Sequence, residues 1–340
     1  MATIQEVILN NDWRSASFAD STDVNRLIQS GITTGVSEQA QAILNAIDYE
    51  NVQSTVTIGI SDYDWVEQNL GDASDTDAVS LAPFFEEMTA KTFYGNQWWE
   101  VRTIQNDLLR TTEPNRLVLN KVGSYWATQW NRIITATVSG MSDIAEITVG
   151  DGIAEFSRTM VISAMVLKGD MGFDKLSDMY MNSTTFADQL TKQEASGTTL
   201  FTQGYMKRSV EVNGVVTFVD TNETVWLYDG TVPVVLDDTM ATGNIALISN
   251  GAFATAQTNL DNPLMYLNSP KAGNGAGKEE WGTKALYVMH PVGFTFVGTL
   301  GVDYASKSGL SLAELQGGGL YELQVDAKLA PITILKVKVG

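Results

Sequence analysis

Residues 112–140 constrain the fold of this chain more than any other stretch. Thr112, Glu113 and Pro114 form a helix start: Thr near the cap, an acid in the first turn, and a proline where its missing N–H costs nothing. Leu119, Val122, Trp126, Trp130, Ile133 and Thr137 then recur at helical spacing and make one face. Gly140 is the expected stop. The pattern predicts one helix over residues 113–139, rising about 40 Å at ~1.5 Å per residue. That is long for a globular domain. It predicts a strut across the molecule, with Gly123 as its weak point.

Composition supplies apolar mass and little chemistry. Hydrophobic residues make up 44% of 340, enough for a sizeable core in one large domain or two ordinary ones. Cysteine is absent, which excludes disulfides, thiolate metal sites and thiol catalysis. The one histidine, His290, leaves little room for a multi-histidine metal site or a histidine relay. No apolar run approaches the ~20 residues of a membrane helix, and the first residues lack the basic start of a signal peptide. The expected setting is soluble and cytoplasmic, with no membrane partner. A net charge of −19 opposes binding to nucleic-acid phosphates over most of the surface.

Residues 1–55 read as an extended arm, with a short helix over 37–47 capped by Ser37. Its polar character predicts that a neighbouring subunit holds it. Residues 55–60 alternate as a strand, and residues 62–101 read as a two-stranded excursion with an acidic tip at Asp72, Asp75 and Asp77. Its aromatics, Trp65, Phe84, Phe85, Phe93, Trp98 and Trp99, lack a local core to join, which makes them the candidates for subunit contact. A short helix is expected over 104–110. After the long helix, the patterns predict helices over 153–168 and 184–192, the former with Phe156, Met160, Ala164 and Leu167 on one side. Strands are predicted over 176–181, 210–219, 225–227, 232–236 and 245–248. A loop is predicted over 268–282, and strands over 320–325 and 332–339.

No segment has the makings of an active site. Asp237-Asp238 could serve as a carboxylate pair, but neighbours at a strand end point apart, and Thr-Met-Ala-Thr-Gly follows, so a turn is expected. Residues 272–279 look faintly like a phosphate loop, yet Ala272 and Glu279 stand where Gly and Ser or Thr are needed. The acidic tip misses calcium-loop spacing. His290 lacks a nucleophile elbow to serve and reads as a packed structural side chain. No catalytic residue, cofactor or metal is expected.

The order of several motifs carries a resemblance. Residues 65–70, an acidic linker, Leu81, Lys91, Trp98 and Asp107-Leu108 precede Thr112-Glu113-Pro114 and Tyr125-Trp126. Tyr228, Gly230, Val232, Val234, Asp237, Asp238 and Met240 follow, then Leu286, His290, Pro291 and Gly293. Together they resemble the major capsid proteins of tailed bacteriophages, which have the Hong Kong 97 fold. Thr231 stands where a basic residue is frequent, and residues 251–267 run longer and less regular than that pattern.

The resemblance implies an α+β chain of four parts. These are an N-terminal arm (1–55), an extended loop (56–103), a peripheral domain with a long spine helix (104–148 and 285–340) and an axial domain (149–284). It implies a virion protein, assembled in the bacterial host cytoplasm. Its partners would be copies of itself in hexamers and pentamers of an icosahedral shell. Others would be a portal, a decoration protein and packaged double-stranded DNA held without sequence-specific contacts. No charged, heptad-rich helix precedes the arm, so a separate scaffolding protein is expected. The competing readings are a β-rich tail or adhesion module and a hydrolase using Asp237 and Asp238.

Overall fold

The computed structural model describes residues 33–34, 55–63, 83–102, 114–169, 176–197, 199–212, 215–249, 251–258, 264–269, 277–298 and 309–340. The expected helices over 37–47 and 104–110, the acidic tip and Trp65 lie outside the described residues.

One strand organises the first sheet. β3 (Pro83–Arg102) is 20 residues long. Its first half pairs antiparallel with β2 (Thr55–Tyr63), from Tyr63 opposite Pro83 to Thr55 opposite Lys91. Its second half pairs antiparallel with β12 (Lys278–Pro291), from Val288 opposite Thr92 to Lys278 opposite Arg102. The strand therefore changes partner between Lys91 and Thr92. The other edge of β12 takes two short strands, β10 (Phe253–Thr258) and β11 (Leu264–Ser269). β1 (Thr33–Thr34) adds to β10 in parallel, so this piece of the expected arm joins the chain's own sheet.

The long helix is present as α1 (Pro114–Gly140), with the proline as its first residue. It lies on the face of β3 that carries Phe93 and Trp99. The Trp126 ring rests on Gly95, where a Cβ would come within 2.2 Å of the indole. The Trp126 Nε1 donates to Thr283 Oγ1 at 3.0 Å. Tyr125 donates to Gln97 Oε1 at 3.2 Å and meets Trp99 edge-on. Trp126 and Trp130 both reach Tyr287 of β12, on which Phe93 stacks at 5.8 Å between centroids.

The single apolar face holds only for part of α1. Ile133 through Gly140 are buried all round, including Thr135, Thr137 and Ser139. Gly140 is not a left-handed stop: its φ is −69°, and the chain runs on into a 3-10 turn at Met141–Asp143. A Cβ at Gly140 would lie 1.9 Å from the carbonyl oxygen of Leu315. That carbonyl belongs to α4 (Leu312–Gln316), a short helix closed by a capping box between Ser311 and Glu314. The glycine admits a close backbone approach.

A seven-stranded mixed sheet forms the other half. Its order is β4 (Thr148–Val149), β15 (Ile332–Lys336), β9 (Asn244–Ser249), β5 (Leu176–Met181), β8 (Val232–Leu236), β7 (Val215–Tyr228) and β6 (Phe201–Val212). Alternation divides its side chains between two cores. Tyr180, Ala246, Ile248, Ile332 and Ile334 join the core around α1. Met179, Met181, Ile245, Leu247 and Leu335 join Phe156, Phe186, Phe201 and Tyr228. Burial on both faces explains the continuous apolar run of β9. The second core is covered by α2 (Arg158–Leu167) and α3 (Ser183–Ser196). Lys168 ties the end of α2 to the chain entering β15, donating to the carbonyls of Ala327, Ala330 and Ile332 at 3.0, 2.5 and 3.2 Å.

Several expectations are corrected. The helix expected over 153–168 starts only at Arg158, and Ile153 is 75% exposed. Its buried side is Val161 and Ala164, with Leu167 exposed. The strand expected over 210–219 is two strands of a long hairpin, β6 and β7. The loop expected over 268–282 includes the start of β12. Sheet membership also cuts across the boundaries 149–284 and 285–340. β10, β11 and the first half of β12 belong with β3, while β15 pairs with β9. Long-range pairing decides this, and chain order does not.

Trp126→Ala is expected to destabilise the chain by roughly 3–5 kcal/mol, because the ring is buried and hydrogen-bonded. Gly140→Ala should destabilise by about 1–3 kcal/mol, although alanine favours a helix interior by about 1 kcal/mol. Equilibrium denaturation of each variant checks both; a gain in stability for Gly140→Ala would refute the close-approach account.

Candidate functional site

The subunit-contact residues expected from the sequence separate into distinct environments. Phe84 and Phe85 lie in β3 opposite Asp62 and Ser61 of β2, in the hairpin half of that strand. Phe93 is a correction: it is 3% exposed and stacked on Tyr287, so its surface is spent within the chain. Trp99 points to the same side, half-buried against Tyr125. Trp98 points the other way and is 37% exposed.

Trp98 belongs to a surface that covers the sheet face away from α1. Tyr94 on the same strand and Leu267 on β11 are exposed on that face. Register places them together: Trp98 opposite Gly282 and Met265, Tyr94 opposite Leu286, and Leu267 opposite Glu280. The Trp98 ring lies flat over Gly282, where a Cβ would meet it at 2.7 Å. A glycine that reads as loop composition is therefore a strand residue making room for an aromatic. Tyr94 and Leu267 were not singled out by sequence; their alternation with Trp98 was the available signal. The patch is bordered by Lys278, which pairs with Glu100 at 3.1 Å and with Glu280. These two carboxylates hold the Lys278 ammonium above its usual range. The one lysine of the faint phosphate-loop pattern is thus committed to carboxylates.

Asp237 and Asp238 diverge, as the turn reading expects. Asp237 accepts from the backbone N–H of Thr239 and from Thr135 Oγ1 of α1, both at 2.8 Å. Asp238 accepts from the Ser183 backbone N–H at 3.1 Å and from the Ser183 hydroxyl, at the start of α3. These bonds hold the Asp238 carboxyl below its usual range. One residue fastens the turn to α1 and the other to α3. A cleft of about 610 Å³ lies beside them, lined by Asn131, Arg132, Thr135 and Gln316 among others. Both carboxylates are occupied in structural bonds, which leaves no paired acid and base. Among the described residues, no three His, Asp or Glu side chains gather as a metal site.

His290 is 2% exposed at the end of β12, beside Tyr321. Burial pushes its imidazole down to about 4, so it is neutral at pH 7. Among the described residues, neither imidazole nitrogen is hydrogen-bonded to a carboxylate or a hydroxyl.

Two variants test the turn. Thr135→Val should cost about 1–3 kcal/mol in chemical denaturation, since it removes a donor to a half-buried carboxylate. Ser183→Ala should raise the Asp238 pKa, read by carboxyl-carbon NMR. A folded-state pKa below the unfolded one means that this bond stabilises the fold above the unfolded pKa. That stability is lost as pH falls through the folded value, and the variant should lose less of it.

No family model matches the chain, and no curated protein matches its sequence. Solved structures do match. The capsid of Ralstonia phage GP4 is 9% identical with a TM-score of 0.47, over 78% of this chain and 84% of that one. The satellite phage P4 procapsid structure is 10% identical with a TM-score of 0.45, over 100% and 93%. The capsid of an empty GTA particle is 14% identical with a TM-score of 0.44, over 90% and 92%. Many of the structural neighbours of this chain are phage capsid proteins, the family that residues 228–240 and 286–293 resemble, and an encapsulin complex from Synechococcus elongatus also matches.

Proposed function

We propose that this chain is a subunit of a tailed-phage capsid, a structural protein with no catalytic role. The observation that carries the reading is the change of partner along β3. From Thr92 onward the strand is built into the sheet under α1; before it, β2 is the strand's one ladder partner among the described residues, with β13 touching it near Thr89, whose N–H donates to Thr295 Oγ1 at 3.0 Å. A lone two-stranded ribbon is marginal in water. A ribbon rooted so firmly, with Phe84 and Phe85 in its β3 strand, is suited to lie on another copy. Trp98, Tyr94 and Leu267 give a second surface of the same kind.

In this reading β2 and the first half of β3 form the extended loop of the Hong Kong 97 organisation. α1 and the six-stranded sheet form the peripheral part, and the seven-stranded sheet with α2 and α3 forms the axial part. Copies close into hexamers and pentamers, because heterologous contacts that close make rings, and repeated rings make a container. Modest contacts suffice, since avidity multiplies them. The shell encloses double-stranded DNA. A net charge of −19 suits a wall along which DNA slides without adhering. Assembly takes place in the bacterial host cytoplasm, with a portal, a separate scaffolding protein and a decoration protein as further partners. Among the described residues, no helix is long and apolar enough to cross a membrane.

Expressing residues 1–340 without other phage proteins, then applying sedimentation and negative-stain microscopy, tests this. The expected products are large and of mixed form: sheets, tubes and shells of several sizes. A stable monomer or trimer would overturn the shell reading and favour an adhesion module. Uniform shells of one size would overturn the need for a scaffold.

A further inference from the structure

After His290 and Pro291, the chain turns at Val292 and Gly293 straight into β13 (Phe294–Phe296). β13 pairs antiparallel with β14 (Tyr321–Leu323). Two backbone bonds close the pair: Gln324 N–H to Gly293 O at 3.0 Å, and Val297 N–H to Leu320 O at 2.9 Å. The result is a strap folded back over the end of β12, and His290 lies beneath it. Its ring faces Tyr321 of the strap at 6.3 Å, and Tyr321 meets Phe296 edge-on at 5.6 Å.

Among the described residues, neither imidazole nitrogen is paired with a carboxylate. Tyr321 is neutral, its hydroxyl held above the usual range by burial. On β10 the residue opposite His290 is Ala254. The next charged group in the cluster is Lys91, fully buried, with its ammonium 5.8 Å from the Phe296 ring. Neither imidazole nitrogen makes a hydrogen bond of ordinary geometry, although the Phe294 backbone is near enough to favour the protonated ring slightly.

We propose that His290 is an acid-sensitive pin, which as a neutral ring packs the β13–β14 strap onto β12 and as a cation drives the strap off. A charged imidazole here would be desolvated and, among the described residues, without an ion-pair partner. Lifting Tyr321 and the strap away from the ring would give it access to water. The direction follows from linkage. In the open form His290 takes a proton at its ordinary 6.5, in the closed form only near 4. The closed strap is therefore fully favoured above pH 6.5 and loses ground as pH falls toward 4. The opening constant should rise nearly tenfold per pH unit in the middle of that window, and about 80-fold from pH 6.5 to pH 4.

One histidine in the chain gives one imidazole NMR signal to follow. In the full chain that signal should stay at its neutral position at pH 5.5. Amide exchange of the strap, corrected for intrinsic rates, should accelerate relative to β9 as pH falls from 6.5 to 4. His290→Phe should abolish the acceleration. His290→Gln should do the same, and serves if the phenylalanine variant fails to fold. An imidazole titrating near 6.5, or strap acceleration of equal size in a folded variant, would overturn the proposal; if neither variant folds, the wild-type titration alone decides.

Discussion

How near α1 can lie to the six-stranded sheet is set by one contact, the Trp126 indole on Gly95. The ring fills the space a side chain would take, and its N–H reaches across β3 to Thr283 of β12. One residue thereby fixes the helix to two strands at once. The neighbouring aromatics depend on that height. Tyr125 meets Trp99, and Trp130 meets Tyr287, only when the helix axis is held close. An aromatic cluster of this kind adds ring-to-ring geometry to plain area burial, on the order of 0.5–1.5 kcal/mol per pair.

Fixing α1 at one end determines what its other end meets. Past Ile133 the helix has no free side, because strands of the seven-stranded sheet and α4 close around it. The polar residues trapped there are put to use: Thr135 holds Asp237, and Ser139 Oγ accepts from the Ala241 backbone at 3.0 Å. Both bonds anchor the turn that follows β8. Asp238 extends the same turn to α3. The paired aspartates are therefore a joint between the helix, the sheet and α3.

Much of this was legible in the chain. The long helix was, because a start signal is followed by a 3.6-residue period over about five turns. β9 was, because a strand buried on both faces needs a continuous apolar run. The paired-aspartate turn was, from spacing alone. β10 and β11 were not. Their sequences, FATAQT and LMYLNS, alternate weakly, and only pairing with β12 makes them strands. The purpose of Gly140 and Gly282 was also hidden, since the Leu315 carbonyl and the Trp98 ring come from distant parts of the chain. For the surface residues, alternation sets Phe93 and Trp98 on opposite faces, although their lack of a local core groups them together as contact candidates. It could not tell which face α1 would cover.

What remains outside the subunit's own economy is the ribbon of β2 and the first half of β3. It is rooted in the six-stranded sheet, yet β2 has no second neighbour strand among the described residues. In the shell account a neighbouring copy completes it. The most direct test is amide hydrogen exchange on the outer ribbon, residues 58–63 and 83–88, compared between assembled particles and dissociated subunits, with residues 92–102 as internal reference. The account predicts protection of the ribbon in particles only, while the reference is protected in both. Equal protection of the ribbon in the free subunit would contradict it.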